Sequence, residues 1–122
     1  IYEGHFVDQQ EGNSAIIGYA EKLKILWIVA VTDLGTTLTQ SGKHQQAEGL
    51  LRKALTLDDT AEPIYHSLMT VLSTQGRTAE ALLTYNRCRS VMAKLGMEPS
   101  DETTALYRDL QPARSTKRRH RE

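Results

Sequence analysis

Apolar residues recur along this chain at steps of three and four, the spacing that lines up one face of an α-helix. Ile16, Tyr19, Ala20, Leu23, Trp27, Ala30, Val31, Leu34 and Leu38 form the first such stripe, about seven turns long. Gly42 closes it, and Ser14 is placed to cap its start. Residues 1–13, with Gly4 and Gly12 as breakers and Tyr2, Phe6 and Val7 as anchors, therefore read as an irregular lead-in. A second helix is predicted over 43–57, with Ala47, Leu50, Leu51, Ala54 and Leu57 inward. Asp59 and Glu62 have the spacing of a capping box before a third helix. That helix tolerates Pro63 in its first turn and points Ile64, Leu68, Val71 and Leu72 inward. After Gly76, Thr78 is set to cap a fourth helix carrying Ala81, Leu82, Tyr85, Cys88, Met92 and Leu95. Gly96 stops it and Pro99 follows. Ser100 caps a short fifth helix with Ala105, Leu106 and Leu110 inward, and Pro112 ends it. Residues 113–122 have almost no apolar content and are expected to be disordered alone.

The pattern repeats. Leu34 and Leu38 return as Leu68 and Leu72, Gly42 as Gly76, and Ala47 as Ala81, each 34 residues on. Leu51 is matched by Tyr85, large for large, and Ala54 by Cys88, small for small. This period is the length of one tetratricopeptide unit, a pair of antiparallel helices. A Gly ends the first helix, a small residue lets the second approach, and large residues fill the space between. Gly35 falls where that pattern wants a small residue at a helix contact, which offsets its cost of about 1 kcal/mol relative to Ala. The expected fold is all-α: two tetratricopeptide-like helical hairpins plus a closing C-terminal helix, stacked as a right-handed superhelix. The expected layout is a lead-in over 1–13, the helical domain over 14–111 and a basic tail over 112–122.

The first helix has a second apolar set. Ile25, Ile28 and Val29 fall opposite Leu23 and Leu34, beside Thr32, Thr36 and Thr39. Either residues 1–13 fold back over this patch, or it faces the inner curve of the array, or it docks another domain or a second copy. In the groove register the second unit contributes Pro63, His66, Thr70 and Ser73. The candidate protein-contact residues are thus Ile25, Ile28, Val29, Thr32, Thr36 and His66. A groove of hydroxyls and one histidine has no Lys, Arg or Asn with which to clamp an acidic peptide terminus, whereas docking of an apolar or neutral helix stays open.

Charge changes the picture at one end only. The formal net charge is zero. Residues 1–41 carry Lys22 and Lys24 against Glu3, Asp8, Glu11, Glu21 and Asp33, a net of −3. Residues 42–111 carry eight basic and nine acidic groups, a net of −1, and the last eleven carry five basic groups against Glu122, a net of +4. Nucleic acid binding by the folded body is therefore not expected. Arg114, Lys117, Arg118, Arg119 and Arg121 are candidate phosphate contacts in a longer DNA binder, or simply solubilising. A single cysteine allows no internal disulfide, which points to a reducing, cytoplasmic setting. Ile25–Val31 is apolar for seven residues, far short of a membrane span. The first residue is Ile rather than Met, so the chain is expected to be a piece of a longer protein.

No catalytic, cofactor-binding or metal-binding residue is expected. His5, His44, His66 and His120 lie at no metal-ligand spacing, and there is no HExxH, Walker or GxGxxG motif. Cys88 occupies a small core position rather than the electropositive exposed site of a reactive thiol. Arg77 and Glu80 are placed for a local ion pair worth tenths of a kcal/mol.

From Glu62 to Leu110 the pattern becomes more specific. Gly76, Arg77, Glu80, Ala81, Leu82, Tyr85 and Arg89 spell GR-x-x-EAL-x-x-Y-x-x-x-R. Leu95, Gly96, Glu98, Pro99, Ser100, Glu102, Thr103, Leu106, Tyr107 and Leu110 spell LG-x-EPS-x-ET-x-x-LY-x-x-L. Together with the opening Tyr2-Glu-Gly-His-Phe6, these segments resemble the bacterial transcriptional activation domain of SARP-type and related regulators. The resemblance implies a tetratricopeptide-like module that usually follows a winged-helix DNA-binding domain. It also implies that the module serves self-association and contact with transcription machinery. The chain departs from the family in two ways: it contains no winged helix, and its tryptophan is Trp27 rather than a residue early in the first helix. The expected function is a non-enzymatic protein-interaction module of a bacterial transcriptional regulator. Its partner would be a DNA-binding domain of the same chain, a second copy in a homodimer, or the transcription machinery. A generic tetratricopeptide adaptor in a non-transcriptional complex and a sensor domain attached to an NTPase are the alternatives. A winged helix or a Walker motif elsewhere in the parent gene separates them.

Overall fold

The structure is a computed structural model that describes the backbone of residues 2–111 and the side chains of residues 14–111. Among these residues every regular element is helical: α1 (Tyr2–Gln40), α2 (His44–Leu57), α3 (Glu62–Thr74), α4 (Thr78–Lys94) and α5 (Asp101–Asp109). The chain divides into two compact units, Ile1–Ala30 and Val31–Glu122.

The first unit corrects the expected lead-in. Helix α1 starts at Tyr2 rather than at Ser14, and runs through Gly4 and Gly12. An isolated glycine costs a helix about 1 kcal/mol, which lowers propagation without stopping it. The apolar stripe is also not inward here. Ile16, Ile17, Tyr19, Leu23, Ile25, Leu26 and Val29 are all exposed. Periodicity identifies the faces that favour burial; it does not supply a neighbour to cover them.

The second unit holds the core. Helix α3 is its centre, packing against α2 on one side and α4 on the other. Ile64, Tyr65, Leu68, Met69, Val71 and Leu72 of α3 are buried, together with Ala47, Leu51, Ala54 and Leu55 of α2. From α4 come Ala81, Tyr85, Cys88 and Met92. Ala47 and Ala81 are both 0 % exposed, so the small residues of the repeat lie inside the helix packing. Val31 and Gly35 of α1 are buried as well, and a Cβ on Gly35 would meet Leu51 Cδ2 at 3.3 Å. Some expected core positions are exposed instead: Leu34, Leu57, Leu95 and Ala105. Leu50, Leu106 and Leu110 are half-buried. Leu57 and Leu95 fall at helix ends, where the chain leaves the packed face.

The turns repeat with the sequence. Gly42, Gly76 and Gly96 have φ of 80°, 77° and 73°, a left-handed conformation that costs an L side chain. After each, the next N–H reaches back five residues: Lys43 to Leu38 at 2.8 Å, Arg77 to Leu72 at 2.9 Å and Met97 to Met92 at 2.9 Å. These are Schellman closures that satisfy the last carbonyls of α1, α3 and α4. Lys43 and Arg77 then share nearly the same backbone angles as the N-caps of α2 and α4, without side-chain caps. Thr78 is thus the first helical residue of α4 rather than its cap.

Candidate functional site

The last turns of α1, the outer face of α3 and the start of α5 border one groove. Its first part, about 310 Å³, is lined by Gly35, Thr36, Thr39, Gln40, His66, Ser67, Thr70 and Val71. The second, about 380 Å³, is lined by Thr32, Glu62, Pro63, His66, Ser67, Ser100, Glu102 and Thr103. His66 and Ser67 belong to both, so the half-buried imidazole stands at the middle of the groove.

Of the candidate contact residues, the structure brings Thr32, Thr36 and His66 together here, with Thr39, Pro63 and Thr70 beside them. Ser73 does not line the groove; its hydroxyl donates to the Thr70 carbonyl at 3.0 Å. Ile25, Ile28 and Val29 belong to the first unit, where Ile25 and Val29 are exposed and Ile28 is half-buried. Arg114, Lys117, Arg118, Arg119 and Arg121 lie outside the described residues.

The groove threonines are less polar than their type suggests. Thr39 donates its hydroxyl to the Gly35 carbonyl at 2.7 Å, and Thr70 donates to that of His66 at 3.0 Å. Their hydroxyl hydrogens are thus used within their own helices, and what remains for a ligand is methyl groups and oxygen lone pairs.

The α5 end is fixed by a carboxylate that the sequence assigned elsewhere. Glu62 forms no capping box with Asp59; the N-cap of α3 is Ala61, which makes no side-chain cap. Asp58 instead takes the N–H and hydroxyl of Thr60 in a local turn, at 3.0 and 2.6 Å. Glu62 Oε2 accepts the Ser100 N–H at 2.7 Å and the Thr103 hydroxyl at 2.8 Å. Burial pushes its carboxyl up, but hydrogen bonds from Ser100, side chain and backbone, and from Thr103 outweigh it and the net shift is downward. Ser100 in turn caps α5, its hydroxyl accepting from the Thr103 N–H at 3.4 Å. The same helix is held to α4 by Tyr85 and Tyr107, whose rings stack at 4.1 Å.

Arg77 and Glu80 form the expected pair at 2.6 Å, but within a larger cluster. Arg77 also bridges to Glu48 of α2 at 2.5 Å, and Arg52 reaches the same carboxylate at 2.8 Å. Hydrogen bonds from Arg77, then Arg52, hold the Glu48 carboxyl below its usual range, and Arg77 does the same for Glu80. This cluster ties the start of α4 to α2. Sequence spacing reveals only its i, i+3 and i, i+4 members, not the bridge between helices.

Among the described residues no three His, Cys, Asp or Glu side chains are grouped to hold a metal ion. Cys88 is buried, and burial pushes its thiol up to about 11, away from the reactive thiolate. No helix among the described residues is long and apolar enough to cross a membrane.

No curated protein and no solved structure matches this chain. The family model for the bacterial transcriptional activator domain matches residues 1–111, nearly the whole chain, and the motifs around Arg77 and Ser100 lie inside that match. This chain belongs to the bacterial transcriptional activator domain family.

Proposed function

We propose that this chain is the protein-interaction module of a bacterial transcriptional regulator, and that it acts by binding rather than by catalysis. The observation that carries this reading is the groove of α1, α3 and α5, an open surface of mostly neutral side chains around His66, with Glu62 and Glu102 at its α5 end. Helix α3 is backed by α2 and α4, and the Glu62 carboxylate fixes the groove's far end. A groove of this kind suits a peptide segment or helix laid along it. The partner classes are a DNA-binding domain of the same parent protein, a second copy, or the transcription machinery, all in the cytoplasm.

The reading is tested by fusing the chain to a DNA-binding domain with a known operator. The wild-type fusion raises reporter transcription in bacteria. Ser67→Trp, which fills the groove where its two parts meet, lowers reporter output while operator occupancy stays unchanged. No activation by the wild-type fusion would overturn the regulator reading, and an unaffected Ser67→Trp fusion would remove the groove from it.

A further inference from the structure

We infer that the groove takes a cationic segment: a short run of small or β-branched residues with a Lys or Arg at the end nearest α5. This rests on the groove being a protein-binding surface, as proposed above. None of the residues lining either part is Lys or Arg. The α5 end instead carries Glu62 and the exposed Glu102. The Ser100 N–H and the Thr103 hydroxyl both arrive at Oε2, which makes Oε1 the less engaged oxygen for an incoming donor. Along the walls, Thr39 and Thr70 have turned their hydroxyl hydrogens inward to their own helices, so the groove is rich in acceptors. An ammonium or guanidinium group brings only donors and a positive charge, and so complements both features. An acidic segment would meet Glu62 and Glu102 with no fixed cation in the lining to pair with. His66, one turn from Glu62, lies in the same lining. The methyl groups of the threonines and Val71 along the first part favour small apolar side chains following the cation.

The experiment is an NMR titration of the isotope-labelled full chain with three peptides: acetyl-Lys-Val-Ala-Val-Ala-amide and its counterparts with Ala or Glu in place of Lys. The Lys peptide is expected to shift the amides of Glu62, His66, Ser67 and Thr103 saturably, binding about three- to fivefold more tightly than the Ala peptide. The Glu peptide binds most weakly. Glu62→Gln reduces the Lys preference but also touches the α5 anchor. Glu102→Gln, at an exposed residue outside that anchor, therefore serves as the second variant; it narrows the Lys preference and leaves the Ala peptide unchanged. Equal binding of the Lys and Glu peptides, or shifts confined to another surface, would overturn the inference. An Ala peptide as tight as the Lys peptide also overturns it, while leaving the groove a binding surface. Silence from all three peptides overturns it too, and the regulator reading is then decided separately by the reporter fusion.

Discussion

Glu62 of α3 accepts the backbone N–H of Ser100, 38 residues later in the chain, at 2.7 Å. With the Thr103 hydroxyl on the same oxygen, this places α5 against the groove end of α3. A charged acceptor taking two donors is among the stronger hydrogen-bonding arrangements available at a half-buried site.

Glu62→Ala is accordingly expected to lower stability by about 1–2 kcal/mol, and to raise hydrogen exchange in α5 more than in α3. The pH dependence follows from the downward shift of the carboxyl. A depressed folded pKa contributes stability that is present above the unfolded value and is lost as pH falls through the folded one. The wild type therefore loses this contribution as pH falls below the ordinary glutamate value, and Glu62→Ala shows a shallower acid loss over the same window. Chemical denaturation at a series of pH values checks both statements.

The ion cluster of Glu48, Arg52, Arg77 and Glu80 responds to a different variable. Its members are partly exposed, with side-chain exposures of 15 % for Glu48 and 33 % for Arg77. Salt screening weakens such pairs. Arg77→Met is expected to lower the melting temperature at low ionic strength, and the difference from wild type is expected to shrink as salt is added. Thermal melts of both proteins at two salt concentrations decide it. A salt-independent difference would mean that Arg77 acts through packing alone.

Short-range spacing made much of the second unit legible. The 34-residue register put Ala47 with Ala81, Leu51 with Tyr85 and Ala54 with Cys88 in the interior, and all six are buried. The register placed Gly42 and Gly76 at helix ends, and the end of the fourth apolar stripe placed Gly96; all three have positive φ. What it missed depends on groups far apart in the chain. Asp59 and Glu62 have capping-box spacing, but a partner 38 residues away took the carboxylate. Glu48 and Arg77 meet across a helix pair, where i, i+4 rules are silent. On α1 the stripe was correctly apolar, yet Ile16, Tyr19 and Leu23 are exposed, since periodicity carries no information about neighbours. The groove residues Thr32, Thr36 and His66 were legible as a register. The direction of the threonine hydroxyls, which sets what the groove offers, was not.

The glycines give a prediction with an internal control. Gly76→Ala places a Cβ at φ 77° and is expected to cost about 1–2 kcal/mol, with the same sign at Gly42 and Gly96. Gly49 lies inside α2, outside the positive-φ set, and a Cβ there meets nothing within 4 Å. Gly49→Ala is therefore expected to stabilise the protein, by up to about 1 kcal/mol. Equilibrium unfolding of the two variants should move in opposite directions, and a common direction would mean that the helix ends are misplaced.

Cys88 reports on the core from within. It is 0 % exposed on α4 at the position matching Ala54 of α2, and its thiol is pushed up to about 11 by burial, with the charge of Glu62 adding to the effect. Thiol reagents attack through the thiolate, so reaction in the native state requires both opening of the core and loss of the proton. Labelling at neutral pH is expected to be far slower than in the denatured chain, and to accelerate in parallel with unfolding as denaturant is raised. Cys88→Ala removes one heavy atom, where Leu→Ala removes three, and is expected to cost about 1 kcal/mol, whereas Cys88→Leu overpacks the α4 core position at a cost of about 1–3 kcal/mol. Fast labelling of the folded protein would place the thiol at the surface and remove the repeat register from which the helix packing was read.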